Sequence, residues 1–294
     1  MLAQFQYQEL IERALREDLG TGDLSAAIFP AKAVTQAKIY AKQAGVVCGL
    51  EITKHVFKTV DSQLDVISLK EDGEKVEKGT VVLEIKGSVG SILSAERTAL
   101  NFLQHLSGIA TATYEAVQEC QGLPTRITDT RKTLPGLRML QKYAVRMGGG
   151  QNHRFGLYDA VMLKDNHIAA AGGIGPAVEL VRKQIGHMVK IEVECESLAQ
   201  VEEALAAKAD VIMLDNMDLA TMKKAVAMID KRAVVEASGG IKKGELRAVA
   251  ETGVDVISMG ALTHSVQALD FSLDVGDIKA LTKERWAKEE KSAQ

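Results

Sequence analysis

At 294 residues the chain has room for one large domain or two modest ones, and a hydrophobic fraction of 46% is ample for a buried core and outside the disordered class. A net charge of -3 gives no electrostatic footing for nucleic acid or a membrane surface as a partner. The three cysteines, Cys48, Cys120 and Cys195, are odd in number and far apart, which points away from a disulfide framework or zinc site and toward a reducing, cytoplasmic setting.

Residues 4–17 carry an amphipathic helix pattern stopped by Gly20 and Gly22. It lacks an apolar h-region, so no signal peptide is expected, and no apolar run approaches a membrane span. From 34 to 92 the pattern is mostly strand, with one helix near 50–60; QAKIYAKQAGVVCG and TVVLEIKG alternate or run β-branched between glycines. Here EDGEKVEKGTVVLEIKGSVGSIL resembles the half-barrel repeat of biotinyl and lipoyl carriers, which present a lysine at a hairpin tip. The corresponding turn reads GSVGS, without lysine, so the stretch is taken as scaffold. SAERTALNFLQHLSGIATATYEAVQEC then reads as helix to about residue 120, with a break near Ser107–Gly108.

Beyond it the rhythm changes. RITDT, DAVMLK, VKIEVE, DVIMLD, AVVEAS and DVISMG alternate with helical segments at 137–147, 174–186, 197–208, 218–230 and 242–252. Short Val/Ile-rich runs of this kind suit parallel strands buried on both faces. They predict β/α units, closed into a barrel or wound into an open sheet. Six such strands fall short of a complete eight-fold barrel. ALDFSLDV supplies a last strand, and a charged helix over 277–290, with Trp286 packing it down, ends the chain.

Polar residues or glycines close each of the six runs: Asp129, Thr130, Arg131 and Lys132; Lys164; Glu194; Asp215; Ser238, Gly239 and Gly240; Gly260 and Ala261. Parallel β/α folds gather these ends at one mouth, where active sites lie. The last two loops, ASGGIK and SMGALTHS, allow backbone N–H groups to approach an anion. Glu194 and Asp215, on neighbouring runs, suit Mg²⁺ held through water or hydrogen bonds from sugar hydroxyls, or else a structural ion pair with Lys164 or Lys190. Between Asp129 and Asp159 there is no acid, yet Arg131, Lys132, Arg138, Lys142, Arg146, His153 and Arg154 gather there. Paired arginines suit carboxylates, so the cations are expected to serve a local oligo-anionic ligand carrying a carboxylate and a phosphate. Two other readings stay open: His167 either caps a helix or lines the mouth, and Lys164 could form a Schiff base as in an aldolase.

DTRKTLPGLR, KYAVRMGGGQNHRFGLYDAVMLKDNHI, VEASGGI, GVDVISMGALTHS and EDLGTGDLS together resemble the quinolinate phosphoribosyltransferase family over essentially the whole chain. The resemblance implies an N-terminal α/β sandwich domain over 1–100, with 266–294 packing back on it, and an incomplete parallel β/α barrel of the type II phosphoribosyltransferases over 101–265. It implies transfer of the phosphoribosyl group of phosphoribosyl pyrophosphate (PRPP) to quinolinate with decarboxylation, giving nicotinate mononucleotide, pyrophosphate and CO₂ for NAD biosynthesis, with Mg²⁺ as cofactor. By the same resemblance Arg131 and Arg154 bind quinolinate with Lys132, His153 and Lys164. Glu194 and Asp215 attend the ribose and the metal, with Thr130 nearby. Ser238, Gly239, Gly240, Met259, Gly260, Ala261 and His264 serve the phosphates. Lys132, Lys164, Glu194 and Asp215 are the catalytic candidates. A homodimer or an assembly of dimers is implied, with Arg97 lent by the neighbouring subunit; by pattern alone Arg97 reads as an ordinary surface or interface residue. A paralogue of this fold acting on another substrate, or associated with molybdenum transport, is the rival.

Overall fold

The computed structural model describes residues 2–30 and 32–276; the expected helix over 277–290 and the packing of Trp286 lie outside the described residues. In chain order the elements are α1 (Gln8–Leu19), β1 (Val34–Ala41), β2 (Gly45–Val46), α2 (Leu50–Val60), β3 (Asp65–Ser68), β4 (Lys75–Val76), β5 (Val81–Ser88) and α3 (Val89–Glu119). There follow β6 (Arg126–Thr128), α4 (Arg138–Met147), β7 (Val161–Leu163), α5 (Asp165–Ala171), α6 (Ile174–Arg182), β8 (Ile191–Cys195), α7 (Leu198–Ala206) and β9 (Val211–Asp215). The last are α8 (Leu219–Ile229), β10 (Val234–Ser238), α9 (Leu246–Ala250), β11 (Val256–Ser258), α10 (Ala261–His264) and β12 (Phe271–Gly276). The chain divides into two compact units, at 111/112 and again at 265/266.

In the first unit an antiparallel sheet runs β12-β1-β5-β3. β1 alternates as a half-covered strand should, burying Ala37, Ile39 and Ala41. The α3 stripe of Ile92, Ala95, Ala99, Leu103, Leu106 and Ile109 is buried at helical spacing, and losing a fully buried leucine such as Leu103 would cost about 2–5 kcal/mol.

The helix is continuous where a break was expected at Ser107–Gly108. The pair is a contact point instead. Ser107 Oγ accepts the Cys48 N–H at 2.9 Å, and a methyl at Gly108 would run into the backbone of Gln267 and Ala268. GSVGS is likewise no hairpin tip: Gly87 and Ser88 end β5, and Val89 opens α3.

In the second unit β6-β11-β10-β9-β8-β7 form one parallel sheet. Its order follows the chain from β7 to β11, and β6 then joins β11, the connectivity of an incomplete barrel. No ladder joins β7 to β6 among the described residues. Gln151 bridges Thr128 instead, and 152–160 carries the chain from that seam to β7.

Strand parity sorts the side chains. Ile191, Val193, Ile212, Leu214, Val235, Ala237 and Ile257 are buried at alternate positions, and α6 to α9 bury Val178, Val201, Met222 and Leu246. The intervening positions, Glu192, Glu194, Met213, Asp215, Glu236, Ser238 and Ser258, line cavities inside the curve. Period-two alternation thus assigns one set to the hydrophobic layer and the other to the interior. Helix α5, absent from the sequence reading, begins at the residue after Lys164.

Candidate active site

The mouth of the second unit holds a cavity of about 520 Å³. Thr130, Arg131, Lys132, His153, Arg154, Lys164, Glu194, Asp215, Ser238, Gly239 and Gly240 all line it, so most of the expected site residues do converge. Met162, Met213, Asn216, Glu236 and Ser258 line it too and were missed. Met259, Gly260, Ala261 and His264 do not. Met259 is buried, its N–H donating to Thr128 O at 2.9 Å, while Ala261 and His264 are exposed. Gly260 acts one step removed, because a methyl there would press on Lys132 Cδ at 2.8 Å. Arg97 is exposed on α3 in the first unit.

The cationic segment separates into two groups. Lys142 is fully buried and pairs with the equally buried Asp129; its ammonium also donates to His153 O at 3.0 Å. Asp129 accepts in addition from Asn152 Nδ2 at 2.5 Å and His153 N at 2.9 Å. Arg138 donates to Thr133 Oγ1 and Phe155 O, both at 2.9 Å. Arg146 is exposed near the Tyr143 ring. The expectation that the whole cluster serves a ligand is therefore corrected: Arg138 and Lys142 brace the flanking loops, and Arg131, Lys132, His153 and Arg154 line the cavity. Asp129 neutralises the buried ammonium of Lys142, so that cation needs no acid from within the segment. The glycines serve geometry. Gly149 takes φ +88° after α4, and a methyl at Gly150 would meet Thr113 and Val145 at 2.7 and 2.9 Å.

Arg131 Nε is buried without a partner, a deficit that an anionic ligand would satisfy. Burial and the neighbouring Arg131 pull the Arg154 pKa down, so two guanidinium groups crowd one corner. Arg154 is steadied by donating from Nη1 to Ala160 O at 2.9 Å. Lys164 Nζ meets Glu194 Oε2 at 2.5 Å; this is the ion pair considered as an alternative, and it lies in the cavity wall. His167 caps, its Nδ1 accepting Lys164 N–H at 3.1 Å. Asn216 takes a left-handed φ of +54° and donates to Asp215 Oδ2 at 2.6 Å. Gly239, at φ +98°, passes so close that a methyl would strike the Asn216 amide.

Below the mouth Glu192 and Glu236 are 5% and 4% exposed. His153 Nε2 lies 3.0 Å from Glu192 Oε2 and 3.5 Å from Glu236 Oε1, and His153 Nδ1 accepts Arg154 N–H at 2.8 Å. The signal for this group was present in the sequence: Glu192 and Glu194, two apart in one strand, must share a face.

A parallel β/α curve with arginines, lysines, two acids and a glycine loop at its mouth defines a phosphoribosyltransferase-type site. Family models for the quinolinate phosphoribosyl transferase C-terminal and N-terminal domains match residues 109–274 and 23–107. The chain is 48% identical to the probable nicotinate-nucleotide pyrophosphorylase [carboxylating] of Bacillus subtilis, covering 92% of this chain and 93% of that protein. It is 40% identical to the mitochondrial quinolinate phosphoribosyltransferase [decarboxylating] 2 of Nicotiana glauca, over 94% and 84% of the two chains. The crystal structure of NadC from Streptococcus pyogenes superposes with a TM-score of 0.91 at 45% identity, over 93% and 97% of the two chains. The chain belongs to the quinolinate phosphoribosyltransferase family.

Proposed function

We infer that the chain transfers the phosphoribosyl group of PRPP to quinolinate and releases pyrophosphate and CO₂, leaving nicotinate mononucleotide for NAD biosynthesis. The observation that carries this reading is the convergence, in one cavity, of paired arginines with two strand-end acids and a glycine loop. Arg131 and Arg154 grip the dicarboxylate with Lys132. Ser238, Gly239 and Gly240 face the phosphates, and Glu194 and Asp215 add negative potential beside the cationic sugar as pyrophosphate departs. Lys164 holds Glu194 in place. The ring nitrogen attacks the sugar carbon in a fixed alignment of the two substrates.

Glu194 and Asp215 are partly exposed oxygen donors, each with one oxygen engaged by a neighbouring side chain. They fit Mg²⁺ held through its water shell, and that ion would supply neutralising charge for the leaving pyrophosphate. A Schiff-base role for Lys164 is not favoured, because its ammonium is already paired with Glu194 and nearly half exposed rather than desolvated.

The site is completed by a second copy of the chain. Exposed Arg97 on α3, with exposed Leu24, Ile28 and Val34 in the same unit, supports a dimer in which Arg97 enters the neighbour's cavity. Three free, buried cysteines suit a reducing cytoplasm, and no helix among the described residues is long and apolar enough to cross a membrane. The deciding assay is CO₂ release from carboxyl-labelled quinolinate. It should require both PRPP and Mg²⁺, and silence with both present would end the reading.

A further inference from the structure

The decarboxylation needs a proton at the ring carbon that loses its carboxylate, and the cavity offers few free ones. Both His153 nitrogens are engaged. A backbone N–H can only donate, so the Arg154 N–H at 2.8 Å fixes Nδ1 as the bare nitrogen and places the ring proton on Nε2, toward Glu192. Lys164 is held by Glu194, and Lys132 stands exposed at the rim over Gly260. Glu236 differs. It is 4% exposed, its Oε1 makes no hydrogen bond, and it lines the mouth cavity.

It also lines a second cavity of about 390 Å³ beneath, with Arg126, Asp159 and Lys190. His153 and Arg154 line both spaces, so this group forms the partition between them.

We propose that Glu236 is the acid that protonates the ring carbon once CO₂ has left. The bond from that carbon to the carboxylate breaks and its electron pair stays on the carbon beside the positively charged nitrogen. The Glu236 O–H bond then breaks and its proton forms the new C–H bond. Glu236 is left as a carboxylate and recovers a proton from water in the lower cavity, without passing the occupied mouth. The assignment rests on the decarboxylating reading above.

Two buried carboxylates facing one imidazole need a further positive partner or a shared proton. A metal ion is the obvious alternative, since His153, Glu192 and Glu236 bring three ligand atoms within 4.8 Å of one another. It is disfavoured by the same hydrogen bond. A metal-bound imidazole donates its other N–H, whereas the other nitrogen of His153 receives one. The charged groups that share these cavities with Glu236 are Glu192 and Glu194 from β8, Asp215 from β9, Arg126 from β6, His153, Arg154 and Asp159 from the seam, Lys190 just ahead of β8, and Arg131, Lys132 and Lys164 at the mouth; β9 and β11 also present Met213 and Ser258. Burial and then the Glu192 charge push the Glu236 carboxyl up to about 7, so near neutrality it still holds its proton for much of the time.

The test uses the assembled full chain. In the wild type, single-turnover formation of nicotinate mononucleotide should slow in D₂O and as pH rises from about 6 to about 8. Glu236→Gln should lower kcat by at least about 100-fold and remove the pH limb, while quinolinate affinity stays within about threefold. Glu236→Asp should keep the limb at a reduced rate. A wild-type rate that is flat over this range overturns the proposal, and that measurement does not depend on any variant folding. So does Glu236→Gln with near-normal kcat, which would assign the proton to Lys132 or water. A divalent ion found in the purified protein, whose removal abolishes turnover and whose loading Glu236→Gln prevents, also overturns it. Absence of CO₂ from the wild type with both substrates and Mg²⁺ refutes instead the reaction on which it rests.

Discussion

Lys142 and Asp129 pair with both side chains fully withdrawn from solvent, and the backbone of His153 is held by both of them. The residue that lines the cavity is thus positioned by a charge pair that itself lines neither cavity.

Replacing Lys142 with Met leaves Asp129 as an uncompensated buried acid. Chemical unfolding should show a loss of about 3–5 kcal/mol, and whatever protein stays folded should bind quinolinate more weakly as His153 and Arg154 lose register. An unchanged unfolding midpoint would remove the pair from the frame.

Arg131→Lys keeps the charge but loses the fork. With Nε buried and unpartnered in the free site, kcat/KM for quinolinate should fall by roughly 10–1,000-fold, with no loss of thermal stability. Steady-state kinetics beside a melting curve separate the two effects.

Gly239→Ala asks an L-residue to hold φ +98° and drives a methyl into the Asn216 amide. The strain is about 1–3 kcal/mol. Because Asn216 donates to Asp215, the KM for PRPP should rise well above that for quinolinate. Equal rises would place this loop away from the sugar phosphate.

Arg97→Ala and Lys164→Ala should each be nearly inactive. Mixed and allowed to exchange subunits, they should recover part of the lost turnover, because one hybrid site per dimer is intact. Confirmed exchange without recovery would rule out sharing.

Glu236 carries a pH signature in stability as well. Its folded pKa is raised, to about 7 from 4.5, by burial first and Glu192 second. Below the unfolded value both states hold the proton. As pH climbs through the window from 4.5 to 7, only the unfolded chain releases it freely, so the folded state loses ground. Glu236→Gln should therefore match the wild type in unfolding free energy at about pH 4.5 and exceed it above neutrality, by on the order of 1–3 kcal/mol, as read by chemical unfolding at each pH. A constant difference across pH would mean that the carboxyl is not the titrating group.

Much of this site was legible because parallel β/α folds gather strand ends, so Lys164, Glu194, Asp215 and Ser238 could be placed without coordinates. Lys142 was misread because sequence spacing reveals a stripe but not which side faces the core, and a buried lysine is intelligible only once Asp129 is seen beside it. Glu192 and Glu236 escaped because acids within apolar runs look like edge positions until the sheet curves and gives strands a polar inside. Ser107–Gly108 looked like a helix break because local propensity cannot show that another backbone passes there. Arg97 was reached through resemblance alone, for nothing in its helix distinguishes it from other exposed arginines.

The seam between Gln151 and β7 takes the place of a missing strand pairing, and it carries His153 and Arg154. One ten-residue passage therefore answers to two masters, completing the wall and, in the function proposed above, gripping the diacid. Insertions that surface loops ordinarily absorb would here undo architecture and chemistry together, and an engineer wishing to retune substrate preference has more freedom at the rims of β9 and β10 than in this stretch.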